Sequence, residues 1–109
     1  MSGLADKHCA PCEGGVPPLN RAEAQSMLGQ LQDGWRLGDG AKSLHRAYQF
    51  KDFYRTMSFV NAVAHVANRE DHHPDLELGY NYCRVTFATH SIGGLSQNDF
   101  ICAAKLDLL

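Results

Sequence analysis

Between Asp52 and Pro74 the chain adopts a helical hydrophobic period and then loses it abruptly, and that switch constrains most of what it can fold into. Phe53, Met57, Val60, Ala64 and Ala67 recur at helical spacing, with Tyr54, Phe59 and Val63 widening the stripe. Such a stripe marks an amphipathic helix buried along one side. Pro74 lacks a backbone donor and drives His73 out of the helical region, so a helix over 52–70 must stop ahead of the His72–His73 pair.

On either side of this helix the period falls to two. Residues 35–37 and 43–50 read as strands joined by the turn Gly38-Asp39-Gly40-Ala41, and 76–80 and 82–89 as a second pair. In the last strand Cys83, Val85, Phe87 and Thr89 face one way, and Tyr82, Arg84, Thr86, Ala88 and His90 the other. One dry and one partly wet face is what an antiparallel sheet allows. Asn20 and Glu23 form a capping-box pattern ahead of Ala22, Met27, Leu28 and Leu31, and Asp33-Gly34 is the expected stop. Residues 91–95, with Gly93-Gly94, read as a loop; Ser96 and Asp99 then cap a last helix carrying Phe100, Ile101, Ala104 and Leu108. The order helix, two strands, helix, two strands, helix predicts an α+β fold. It is a four-stranded antiparallel sheet with three helices on one face.

A chain of 109 residues has room for one core. We expect a loose leader over 1–18, where Gly3, Pro11, Gly14, Gly15, Pro17 and Pro18 leave little to bury, and a folded domain over 19–109. The net charge of −2 gives no basic face for nucleic acid, and no apolar run is long enough to span a membrane. Without a signal-peptide layout, the expected location is cytoplasmic and the four cysteines are expected to be reduced. Cys9 and Cys12 form a Cys-x-x-Cys, but in a leader rather than at a helix start, so it reads as incidental or as an occasional oxidation site.

The chemistry concentrates in Glu70-Asp71-His72-His73-Pro74-Asp75, with Tyr80, His90 and Asp99 beyond. Histidine gives and takes protons near neutral pH, and carboxylates beside it tune that exchange. Each residue also has a plainer reading. A histidine at a helix C-terminus is favoured by the macrodipole, Asp99 caps a helix, Tyr80 belongs to the sheet, and His90 ends a strand on its solvated face. A zinc or iron site is the rival chemistry, but adjacent histidines are poorly placed to share one ion and no helical His-x-x-x-His pair is present.

The run Asn68-Arg69-Glu70-Asp71-His72-His73-Pro74, then Tyr80, His90 and Asp99, resembles the signature of the pterin-4a-carbinolamine dehydratase family. Phe50-Lys51-Asp52-Phe53, Phe59-Val60 and the stretch from Gly93 to Phe100 are also similar to its bacterial members, so that the likeness spans roughly 20–108. Asn68 departs from it, standing where the family usually has an acidic or other ionisable residue.

The resemblance implies dehydration of 4a-hydroxytetrahydropterin to quinonoid dihydropterin, a step in recycling the cofactor of aromatic amino-acid hydroxylases. It implies that no metal, flavin or nucleotide cofactor is used. It assigns acid–base roles to His72 and His90, and to His73 a contact with the pterin or its leaving hydroxyl. Asp99 would position His90 or fix the following helix, while Asp71, Pro74 and Tyr80 would bind or support. A homodimer or homotetramer joined through strand edges is implied, with a hydroxylase as a candidate partner. The alternative function is a dimerisation cofactor for a transcription factor, and a metal-binding module is the third.

Overall fold

The computed structural model describes residues 3–11 and 16–109. Helix α1 (Arg21–Leu28), strands β1 (Arg36–Leu37) and β2 (Leu44–Gln49), helix α2 (Phe53–Glu70), strands β3 (Asp75–Leu78) and β4 (Tyr82–Phe87) and helix α3 (Gln97–Leu106) follow in that order. The four strands form one antiparallel sheet in the order β1-β2-β4-β3, with the helices layered on one face. The expected α+β architecture is the observed one. Among the described residues no helix is long and apolar enough to cross a membrane.

The strand pattern explains which face is dry. Leu44 lies opposite Phe87, and Tyr48 opposite Cys83. Leu44, Cys83, Val85 and Phe87 are buried against Val63 of α2 and Phe100, Ile101 and Ala104 of α3. Each fully buried Val, Leu, Ile or Phe side chain among them contributes about 1.5–3 kcal/mol. Arg46 shares that inner face, which looks like a defect in the pattern. Its guanidinium lies 4.6 Å above the Tyr48 ring and donates to Asp107 Oδ1 at 3.1 Å, beside the Trp35 Nε1 donation to the same oxygen at 2.9 Å.

Helix α2 begins where Asp52 accepts from the Arg55 N–H at 2.9 Å, a cap of typically ~1 kcal/mol. The Asn20–Glu23 capping box opens α1 as expected. That helix stops at Leu28 with Gly29 as its cap, earlier than Asp33-Gly34, because nothing apolar after Leu28 continues the stripe at helical spacing except the half-buried Leu31. Strand β3 ends at Leu78 rather than at 80, and β4 at Phe87 rather than at 89. Thr89 makes only an isolated bridge to Gly94, and His90–Ile92 is a 3₁₀ turn closed by Gly93 at φ 71°.

The looseness expected of the leader does not describe residues 3–11. Leu4, in a 3₁₀ turn over Leu4–Asp6, is buried in the core, and the Lys105 ammonium donates to the Ala5 carbonyl at 2.8 Å. One apolar anchor and a set of backbone partners suffice where composition alone suggested nothing to bury.

Candidate active site

The site is built by the way α2 ends. Asp71 takes the left-handed conformation, φ 52°, which aspartate tolerates better than most residues. The chain then folds back so that the His72 N–H donates to the Ala67 carbonyl at 3.1 Å, a Schellman-type closure. This turn sends the two adjacent histidines to different surroundings. His72 goes inward, its side chain 13% exposed and its ring parallel to Phe87 at 6.1 Å between centroids. His73 stays exposed, its Nε2 donating to Asn68 Oδ1 at 3.0 Å, so Asn68 holds the second histidine rather than the first.

His72 Nε2 donates to Asp99 Oδ1 at 2.6 Å, and Asp99 is fully buried. The second oxygen, Oδ2, accepts from Thr89 Oγ1 at 2.8 Å and from the Ser96 N–H at 3.0 Å, the latter closing the capping box of α3. Asp99 therefore fixes the start of α3, one of the two roles expected of it, and the histidine it holds is His72 and not His90. The hydrogen bond to Asp99 raises the His72 pKa above its ordinary 6.5, burial opposes it, and the charges of Asp99, Cys9 and Asp71 add to the rise. With Nε2 committed to the carboxylate, Nδ1 is the atom left to carry the exchangeable proton.

A cleft of about 430 Å³ opens over this pair, lined by His72, His73, His90, Asp71, Glu70 and Thr89 among others. Its size is within the roughly 300–1,000 Å³ usual for small-molecule sites. His90 enters from the 3₁₀ turn after Thr89, not from a strand end, and is exposed. Pro74 is half-buried just beyond the pair and its role is to end the helix. Tyr80 does not join the cleft. It is 65% exposed, stacked at 6.4 Å on Phe53, with its carbonyl accepting from Thr56 Oγ1 at 2.9 Å. A turn residue at the far end of β3 cannot reach a site at the near end.

The leader and Asn98 were not legible as cleft residues, and Glu70 was legible only as part of the acidic run before His72. Cys9, Ala10 and Pro11 of the leader line the cleft, together with Asn98 of α3. Glu70 is buried and accepts from the Cys9 N–H at 2.8 Å and from His8 Nδ1 at 3.0 Å. Burial raises its pKa, but the Cys9 N–H, His8 and Lys105 outweigh burial and hold it below the ordinary 4.5. Cys9 Sγ lies 3.6 Å from Cys102 Sγ; that hydrogen bond lowers the Cys9 pKa against the effect of burial. Cys12, the other half of the Cys-x-x-Cys, lies outside the described residues, and Cys83 is buried in the core. Among the described residues no group of three His, Cys, Asp or Glu side chains is arranged to hold a metal ion.

Three histidines line one cleft on an α+β scaffold, and a buried carboxylate holds one of them. Comparison with known proteins says which family builds it. The model of the family described as pterin 4 alpha carbinolamine dehydratase matches residues 17–109. A protein of Nitrosomonas eutropha that bears the provisional name pterin-4-alpha-carbinolamine dehydratase is 61% identical over 106 residues, 97% of this chain and 92% of its own length. A Legionella pneumophila protein with the same provisional name is 54% identical over 108 residues, covering 99% and 96% of the two chains. A crystal structure from Brucella melitensis, described as a transcriptional coactivator/pterin dehydratase, superposes with a TM-score of 0.78 at 36% identity, over 84% of this chain and 96% of that one. The chain belongs to the pterin-4-alpha-carbinolamine dehydratase family.

Proposed function

We propose that this chain dehydrates 4a-hydroxytetrahydropterins in the cleft over His72 and Asp99, with His72 as the acid and His90 as the base. Family membership supports the substrate class and the hydro-lyase reaction. The observation that carries the assignment of roles is the 2.6 Å bond from His72 Nε2 to buried Asp99. It favours the imidazolium over the neutral ring, the form that can give a proton from Nδ1.

The reaction removes the 4a-hydroxyl as water and the proton from N5, leaving the quinonoid dihydropterin. His72 delivers a proton to the departing oxygen as the C4a–O bond breaks, and His90 accepts the N5 proton. One proton is given and one taken, and exchange with solvent resets both rings. His73, held by Asn68, contacts the pterin or its leaving hydroxyl, while Asp71 shapes the turn that delivers the pair. No step requires a metal, flavin or nucleotide. Acid and base groups of this kind typically contribute ~10²–10⁴ each in rate. In the cell the product would be reduced elsewhere to restore the tetrahydropterin cofactor of an aromatic amino-acid hydroxylase.

The same reading includes a homo-oligomer. Strand β3 is an edge strand, and Leu76 and Leu78 on it are each 36% exposed, close in sequence to exposed Tyr80. An exposed apolar edge invites pairing with a second copy. A second reading, protein binding in support of a transcription factor, is favoured by the description of the Brucella melitensis relative as a coactivator as well as a dehydratase. It places the function on an outer surface and leaves the histidines dispensable. Stopped-flow measurement of 4a-hydroxytetrahydropterin dehydration separates the two. Turnover well above the uncatalysed rate supports the enzyme, and a rate equal to the uncatalysed one leaves the binding role.

A further inference from the structure

The leader lies ahead of the residues the family model matches, yet it runs into the site. It is fastened there at two points. The Ala10 N–H donates to Asn98 Oδ1 at 3.1 Å, and Asn98 Nδ2 donates back to the Ala10 carbonyl at 2.6 Å. Glu70 takes the Cys9 N–H and His8, as described above. The two fasteners flank the reacting pair in sequence: Asn98 precedes Asp99 on α3, and Glu70 lies two positions before His72 at the end of α2. Cys9 Sγ is packed on Cys102 of α3 as well.

A buried carboxylate and a buried carboxamide are costly to leave unpaired. Here Asn98 pairs with the backbone of Ala10, and Glu70 with the Cys9 N–H and the His8 side chain of the same short segment. The outcome is that Cys9, Ala10 and Pro11 form a wall of the same cleft that His72, His73 and His90 line. We propose that this strap, residues 8–11, is part of the substrate-binding surface, with Asn98 and Glu70 as the positioning residues that hold it against the bound pterin. The proposal rests on the functional reading above, since it takes the cleft to be the pterin site. The strap binds substrate and transition state alike, so its loss weakens KM and spares kcat.

The test uses the full-length protein and three readouts. Binding of 7,8-dihydropterin is followed by fluorescence titration. Alkylation of Cys9 by iodoacetamide is followed peptide by peptide by mass spectrometry, with buried Cys83 as the internal control. KM and kcat are compared for wild type, Asn98→Ala and Ala10→Pro, the last of which removes the donor to Asn98 and stiffens the strap while leaving α3 unaltered in sequence, a guard against a fold effect there. The expected result is that bound 7,8-dihydropterin slows Cys9 alkylation, and that both variants raise KM about tenfold with kcat within about twofold. Ligand binding without protection of Cys9, and with KM unchanged in both variants, overturns the strap while leaving the enzyme intact. Absence of both binding and turnover in the wild type overturns the functional reading itself and the strap with it.

Discussion

His72 Nε2 and Asp99 Oδ1 are 2.6 Å apart, the imidazole nearly enclosed and the carboxylate wholly so, at the junction of three elements. The end of α2 supplies the histidine, the start of α3 supplies the carboxylate, and Thr89 after β4 braces it. A carboxylate this buried is stable only while its partners remain, which couples the local fold to the protonation state of the histidine.

Replacing Asp99 by Asn keeps the size and removes the charge. An amide that accepts from the Ser96 N–H turns its donor toward His72 and disfavours the tautomer with a proton on Nε2. The His72 pKa falls, so the imidazolium is lost at lower pH. The pH–rate profile of Asp99→Asn is expected to show its alkaline limb moved to lower pH, with kcat down on the order of tenfold or more. An alkaline limb at the wild-type position would remove His72 as its source.

The two shifted groups predict opposite pH limbs in stability. His72 has a raised folded pKa, so its contribution is complete below the ordinary 6.5 and disappears as pH rises through the folded value. Glu70 has a lowered folded pKa, so its contribution is present above the ordinary 4.5 and disappears as pH falls through the folded value. Urea midpoints measured across this range should be highest between the two. His72→Gln should flatten the alkaline limb and Glu70→Gln the acid limb. Identical profiles in wild type and both variants would contradict the assignment.

Tyr48 is expected to be a site of easy gain. Its hydroxyl is buried and has no hydrogen-bond partner among the described residues, its ring lies 4.4 Å from that of Phe59 between centroids and under the Arg46 guanidinium, and burial pushes its pKa up to about 12. Removing a buried unpaired hydroxyl relieves its desolvation cost, so Tyr48→Phe should stabilise the fold by about 1 kcal/mol. The denaturation midpoint reads this directly, and a loss of stability would mean the hydroxyl has a partner in solution.

If the β3 edge joins two copies, charge on its apolar side chains should separate them. Light scattering after gel filtration is expected to give an oligomer for the wild type and a monomer for the Leu76→Lys, Leu78→Lys double variant. An oligomer of unchanged mass in the variant would exclude this edge as the interface.

Much of this was legible in the sequence because the signals were local. The stripe in α2, the alternation in β4 and the capping boxes at Asn20 and Ser96 each depend on neighbours within a few residues, and each element starts where expected, although α1 and β4 end early. His72, His73, His90 and Asp71 were readable as one constellation, and the structure brings them to one cleft. What failed was long-range. Asp99 was expected to position His90 or to fix the following helix; it does cap α3, but the Schellman turn at Asp71 brings His72 to it instead of His90. Tyr80 looked close to the histidines in sequence, but strand β3 carries it to the other end of the sheet. The leader looked loose because its composition is poor in apolar residues, and no local pattern could reveal that Glu70 and Asn98 would both spend their polar atoms on it.

The most direct test of the account is the stopped-flow dehydration rate of wild type against His72→Ala and His90→Ala, with circular dichroism to verify folding. The account predicts rapid wild-type turnover and a fall of about 10²-fold or more in each folded variant. A folded His72→Ala or His90→Ala protein that dehydrates 4a-hydroxytetrahydropterin at the wild-type rate would contradict it.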